Sequence, residues 1–354
     1  MTLSTPLLAA APLLAGLIGP ALLGGTPVPQ QAHRAVRTQI VEHVAARTAA
    51  EQRRVLDYWT PERMARALPI GMLDVVTDSA GLLSDLTGTA GVHTAPDLSG
   101  RRLGPSGAGL SGPGTLRHQA AGRPQTNTVG SRWITGGAVA RTTGRVFLTV
   151  AGADFVCSAS TVKSANRDVV VTAGHCVKDG AGEWAANWTF VPGYATTGLQ
   201  PYGQYAARRM FVTGPWSRSG DDNFDVGMVA LATSAGRHVA DVVGTQEIAF
   251  NAARGGQAFG FGYPADPPYS GDHLVYCAGR LKNDSNGQSR DQGLACDMTA
   301  GSSGGPWMTS FDPGTGKGTI TSLSSFKYSD DHRTMYGPYF GDTVKALFNT
   351  AEHA

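Results

Sequence analysis

Three short stretches of this 354-residue chain hold residue types that together could activate a hydroxyl group. Ala300-Gly301-Ser302-Ser303-Gly304-Gly305-Pro306 sets a serine among small residues, which leaves room for a substrate backbone. Its glycines let the chain turn so that successive N–H groups aim at one point. In an acyl transfer the N–H groups of Gly301 and Ser303 would hold the developing oxyanion, each donor being worth roughly 3 kcal/mol of barrier. Val171-Thr172-Ala173-Gly174-His175-Cys176 places a histidine directly after an apolar run. A general base needs the rigidity that such a strand end gives. Asn223-Phe224-Asp225-Val226-Gly227-Met228-Val229 opens an apolar strand with an aspartate, costly to bury unless something pairs with it. A histidine N–H is a suitable partner, and the pair would fix the tautomer and stabilise the imidazolium.

Each stretch has a plainer reading when taken alone. Ser303 could stand in an ordinary Gly/Ser turn like that between Gly104 and Gly114. His175 could be a core or turn histidine, and Asp225 an exposed turn residue like its neighbours Asp221 and Asp222. The combination is far more specific than any member. It implies Ser303 as nucleophile, His175 as base and Asp225 as the group that orients the base.

Such a constellation needs rigid elements. From about Trp133 short β-branched runs alternate with turn clusters: 145–150, 168–172, 225–231, 257–262 and 318–323. Several strands with turn signals between them predict an all-β barrel or sandwich. The 47 glycines fit its tight turns. Val344, Leu347 and Phe348 recur at helical spacing and predict a C-terminal helix within Asp342 to Ala354.

The part before the strands reads as three further stretches. Residues 1–30 include an apolar, uncharged run from Leu7 to Leu23. Its length and prolines suit an export signal better than a membrane span, although Met1 to Pro6 carries no Lys or Arg. Residues 31–86 read as a charged, helical pro-segment: Val36, Ile40, Val44, then Val55 and Trp59 recur near helical spacing, and Thr60 with Pro61 suits a helix start. Residues 87–131 are rich in Gly, Pro, Ser and Thr and read as a disordered linker. Residues 132–354 form the remaining domain.

The four cysteines support an exported, secreted protein. Cys157 and Cys176 stand 19 apart, as do Cys277 and Cys296, and two local bridges are the simplest of three connectivities. Each loop of that size would contribute on the order of 3 kcal/mol. No Cys-x-x-Cys or paired-His spacing suggests a metal. The net charge of +2 with no basic run excludes nucleic acid as an expected partner. His238, His273 and His332 stand in polar stretches and read as solvent-exposed; Trp184, Trp188 and Trp216 read as packing residues.

The three motifs and their order resemble the chymotrypsin-like serine peptidase family. Thr172-Ala173-Gly174-His175-Cys176 is similar to its T-A-[AG]-H-C motif, Asp225 to its D-[IV]-[AG]-[LM] strand, and Ser303 to the nucleophile of G-x-S-G-G-P. The resemblance covers about Trp133 to Phe348. It implies two six-stranded antiparallel β-barrels with the site between them, and a Cys157–Cys176 bridge that pins the histidine loop. It also implies a serine endopeptidase without cofactor or metal, acting on protein or peptide substrates as a secreted monomer. An inactive binding protein on this fold, or an esterase with the same triad, are the rival readings.

Departures from the family pattern bear on specificity. Ser302 stands where vertebrate digestive members have the aspartate that pairs with a new N-terminus. Cys296-Asp297-Met298-Thr299 looks closer to the bacterial glutamyl-endopeptidase branch. Met298 holds the place of that branch's Thr or Ser, and Ile320 to Phe326 lacks its histidine. Asp297, six before Ser303, has the offset of the Arg/Lys-reading aspartate in trypsin-like members. Ser322 falls on the strand that, by the resemblance, pairs with substrate and supports the triad aspartate.

Overall fold

The computed structural model describes residues 39–71, 124–195 and 200–354; the export-signal stretch and most of the linker lie outside them. In the first described part, β1 (Ile40–Val44), α1 (Ala49–Tyr58), α2 (Pro61–Arg66) and β2 (Leu68–Pro69) follow one another. Thr48 and Glu51 close a capping box on α1, and Thr60 caps α2 with Pro61 in its first turn. The helical reading of this segment holds for α1 and α2 but not for Ile40–Val44, which is a strand. Its apolar residues four apart fit either state. Antiparallel pairing of Ile40 to Val44 with Thr213 to Arg209 decides, because a strand edge supplies backbone partners that a short solitary helix lacks.

After β3 (Thr128–Arg132) and α3 (Gly137–Thr142) come six strands: β4 (Thr143–Val150), β5 (Ala153–Thr161), β6 (Val169–Thr172), β7 (Ala186–Pro192), β8 (Tyr205–Thr213) and β9 (Gly227–Leu231). They pair in the order β8-β7-β4-β5-β6-β9, and β9 returns to β8. The barrel is therefore closed and every pairing is antiparallel. A one-turn helix α4 (Gly214–Ser219) links β8 to the Asp225 region.

The second half follows α5 (Val239–Val243). It holds β10 (Glu247–Ile248), β11 (Gln257–Gly262), β12 (Val275–Arg280), β13 (Lys282–Asn283), β14 (Gln292–Ala295), β15 (Pro306–Asp312), β16 (Lys317–Leu323), β17 (Thr334–Gly337) and the C-terminal helix α6 (Asp342–Ala351). The strands form a six-stranded sheet, β10-β16-β15-β11-β12-β3, and a three-stranded one, β13-β14-β17. The all-β, two-lobed chymotrypsin-like architecture and the C-terminal helix match expectation. The halves differ in how they close: the second is two sheets, and β10 joins β16 in parallel.

The linker boundary at residue 131 is too late. Thr128–Arg132 pairs with β12, and the Gln125 N–H donates to Tyr276 Oη at 2.9 Å. Thr126 to Arg132 is poor in large apolar residues, so its strand rests on the partner that tertiary contact provides. One cluster of buried side chains runs through both halves, from Val146 and Phe155 to Ile320 and Phe340. Among the described residues no helix is long and apolar enough to cross a membrane.

Candidate active site

Strand β6 delivers His175 to the space between the halves. Its ring Nδ1 lies 2.7 Å from Asp225 Oδ2, and its backbone N–H donates to Oδ1 at 2.8 Å. With Nδ1 carrying the proton the imidazole is a donor to the carboxylate, which leaves Nε2 as acceptor. Asp225 comes from the short turn before β9 and is 2% exposed. Burial pushes its carboxyl up. The facing imidazole, the Ser325 hydroxyl at 2.5 Å and the His175 backbone N–H outweigh burial and hold it below the usual carboxylate range.

Two disulfides are present, Cys157–Cys176 and Cys277–Cys296. The first lies beside the histidine: its two Sγ atoms and a ring nitrogen of His175 are within 4.8 Å of one another. These are the only three grouped donor residues of metal-binding type among the described residues. Because the sulfurs are bonded to each other, they do not offer the thiolates a metal needs.

Ser303 is bound to the same platform. Its carbonyl oxygen accepts from the Ser158 N–H at 2.8 Å and lies 3.7 Å from Cys176 Sγ. The Ser158 hydroxyl donates to Gly301 O and accepts from the Tyr263 N–H, both at 2.9 Å, and Ser158 O accepts from Thr172 Oγ1 at 2.8 Å. One residue of β5 thus joins the histidine strand to the turn that carries Ser303. Gly304, at φ +79°, packs so closely that a Cβ there would sit 2.1 Å from Thr172 Oγ1. His175 Nε2 and Ser303 Oγ are both buried, and neither has a hydrogen-bond partner. The N–H groups of Gly301 and Ser303 donate to no backbone carbonyl among the described residues.

The supporting shell contains groups the motifs did not reveal. The Trp188 indole donates to Cys176 O at 2.8 Å and Trp216 to Lys178 O at 2.9 Å, clamping the histidine loop. Trp216 also fills the space beside Gly174, where a Cβ would meet it at 3.0 Å. Ser325, not Ser322, supports Asp225. Ser322 Oγ donates to Pro338 O at 2.9 Å. β16 ends at Leu323, and the chain runs three residues past Ser322 before it meets the carboxylate. A fixed offset from Ser303 could not register that.

The residues expected from the resemblance to bear on specificity are engaged elsewhere. Asp297 Oδ1 accepts from Tyr269 Oη at 2.7 Å, and its carboxylate lies against Gly130, where a Cβ would be only 2.0 Å away. Met298 is fully buried in a cluster with Leu294, Trp307 and Met335. Lys327, two residues beyond Ser325, donates to Cys296 O at 2.8 Å and His332 O at 2.5 Å. Its burial lowers the amine to about 8. Ser302 Oγ donates to Thr299 O at 2.8 Å. Of the histidines read as exposed, His238 instead binds the buried Asp168 at 2.8 Å.

With this geometry in view, residues 134–340 match the family profile described as Trypsin. The chain belongs to the trypsin family of serine proteases. It is 40% identical to the protease Anisep from Arthrobacter nicotinovorans, with a TM-score of 0.58 over 60% of this chain and 96% of that one. A glutamyl endopeptidase of Bacillus licheniformis is 39% identical over 71 residues, 20% of this chain and 22% of that protein. An extracellular metalloprotease of Bacillus subtilis is 38% identical over 74 residues, 21% of this chain and 23% of that one. The chain thus spans about a quarter of the length of these two curated relatives.

Proposed function

We propose that this chain is a secreted serine endopeptidase that cleaves protein or peptide substrates through Ser303, His175 and Asp225. The reading is carried by one observation. Two buried atoms of complementary chemistry, His175 Nε2 and Ser303 Oγ, lack hydrogen-bond partners, and Asp225 backs the imidazole on its other side. Buried polar atoms are rarely left so without a functional reason.

In this mechanism His175 Nε2 takes the Ser303 hydroxyl proton as Oγ bonds to the substrate carbonyl carbon. The oxyanion is held by the N–H groups of Gly301 and Ser303. The C–N bond then breaks, and the amine leaves with the proton from His175. Water attacks the acyl-enzyme, gives its proton to His175, and Ser303 recovers it as the acid product departs. Asp225 stays ionised and stabilises the imidazolium. The tie between Asp297 and Tyr269 argues against a preference for Arg or Lys before the cleaved bond. Residues 1–30 act as the export signal in this proposal.

A fluorophosphonate probe tests the chemistry. The secreted protein becomes labelled at Ser303, and Ser303→Ala does not. Absence of labelling in the natural chain, before and after cutting within 72–123, would make it a binding protein on this fold. A peptide-library digest then distinguishes peptide cleavage from ester hydrolysis alone.

A further inference from the structure

Alternation along the barrel strands divides their side chains into two sets. Val146 and Leu148 of β4 face the main core, whereas Phe147, with Val156 of β5 and Val191 of β7, forms a separate cluster. These three side chains are fully buried although they lie outside the main core. Their cover includes Trp59 and Met64, each 3% exposed. Without them the barrel wall would present an apolar patch of the kind that marks an interface.

The rest of residues 39–71 fits the same wall. β1 adds to β8 over five residue pairs, and β2 adds to the free edge of β5 beside Phe155 and Val156. The Ile70 N–H donates to Val156 O at 3.3 Å, and the Gly214 N–H to Gln39 O at 2.7 Å. The Trp59 indole donates to Asn187 O at 2.5 Å, and Tyr58 Oη to Asp154 Oδ1 at 2.8 Å. Arg63 pairs with Asp154 at 3.2 Å, and Glu42 pairs with Arg209. No hydrogen bond, ion pair or ring contact among the described residues joins this segment to His175, Asp225 or Ser303.

We propose that residues 39–71 are a lasting, non-covalently docked part of the folded enzyme. A cut within 72–123 would therefore give a two-chain particle and leave the segment in place. The partner of the barrel wall is this segment of the same chain. Two strand edges, an aromatic anchor in an apolar socket and flanking ion pairs give it the anatomy of a stable interface. The segment braces the wall from outside and does not plug the site.

The test uses the full chain with Ser303→Ala, so that its result is independent of activity. A recognition sequence for a site-specific protease is inserted after Ser106. After cutting, gel filtration and native mass spectrometry at micromolar concentration should find both pieces together at the mass of the uncut chain. The β1 amides should keep the hydrogen-exchange protection seen before cutting. Trp59→Ala should weaken retention by about a hundredfold; where that variant does not fold, the exchange measurement on the cut natural interface stands alone. Elution of the amino-terminal piece by itself, or loss of β1 protection on cutting, would overturn the proposal.

Discussion

Asp225 and Asp291 show how differently one side chain type can be set. Asp225 has a donor on each oxygen. Asp291 is 1% exposed, and neither of its oxygens has a partner. Burial, then the charges of Asp222, Asp225, Asp284 and Asp221, push its carboxyl well above the usual range. The folded state therefore holds this proton more tightly than the unfolded chain does. Its contribution to stability falls as pH rises through the raised folded value. Asp291→Asn should raise stability at pH 7 by about 1 kcal/mol or more, with the gain shrinking toward pH 4; urea unfolding at both pH values checks this. Ser325 is a positioning residue by the same geometry. Ser325→Ala should lower kcat by about tenfold, with KM little changed, because one charge-assisted hydrogen bond to Asp225 is lost. Steady-state hydrolysis of one peptide decides it.

At the scale of elements, the site is a junction of four pieces: the end of β6, the middle of β5, the turn before β9 that carries Asp225 and the turn that carries Ser303. The two disulfides close loops of equal span, 19 residues each, so chain entropy assigns both about 3 kcal/mol. Their surroundings differ. Cys157–Cys176 lies under His175 and beside Ser303 O, whereas Cys277–Cys296 lies in the cluster of Leu294, Trp307 and Met335. Replacing either pair by alanine should lower stability by similar amounts, read from urea midpoints. Only loss of the first should also slow fluorophosphonate labelling of the protein that remains folded. Ser158 is the other joint. Nothing in the sequence around Cys157 marks it, because its four partners come from residues 172, 263, 301 and 303.

The described residues belong to one compact unit, so the amino-terminal segment and the barrel share stability. A chain that starts at residue 124 lacks the cover over Phe147, Val156 and Val191. It should be less stable by about 3 kcal/mol or more and should bind a hydrophobic dye that the full chain excludes. Lys327 adds a pH dependence of opposite sign to that of Asp291. Burial lowers its folded value to about 8, below the ordinary lysine value of 10.5. The unfolded chain binds more protons between these limits, so the stability contribution of this group rises with pH across that window. Lys327→Met should flatten the rise, measured by denaturant unfolding at pH 7.5 and pH 9.5.

Ser303, His175 and Asp225, proposed here as nucleophile, base and orienting acid, stand out in the sequence because each sits in a local motif whose residue types have few other uses together. The strand texture after Trp133 was legible because β-branched runs and turn residues act locally. The same holds for α6, where Val344, Leu347 and Phe348 share one helix face. What depended on distant parts of the chain was not legible. The support of Asp225 fell to Ser325, not Ser322, because loop length sets which hydroxyl reaches the carboxylate. Ile40–Val44 became a strand because the edge of β8 was there to receive it. Thr128–Arg132 joined β12 for the same reason. Local sequence carries side-chain chemistry and short-range propensity, whereas the choice among partners is made only when the folded chain brings them within bonding distance.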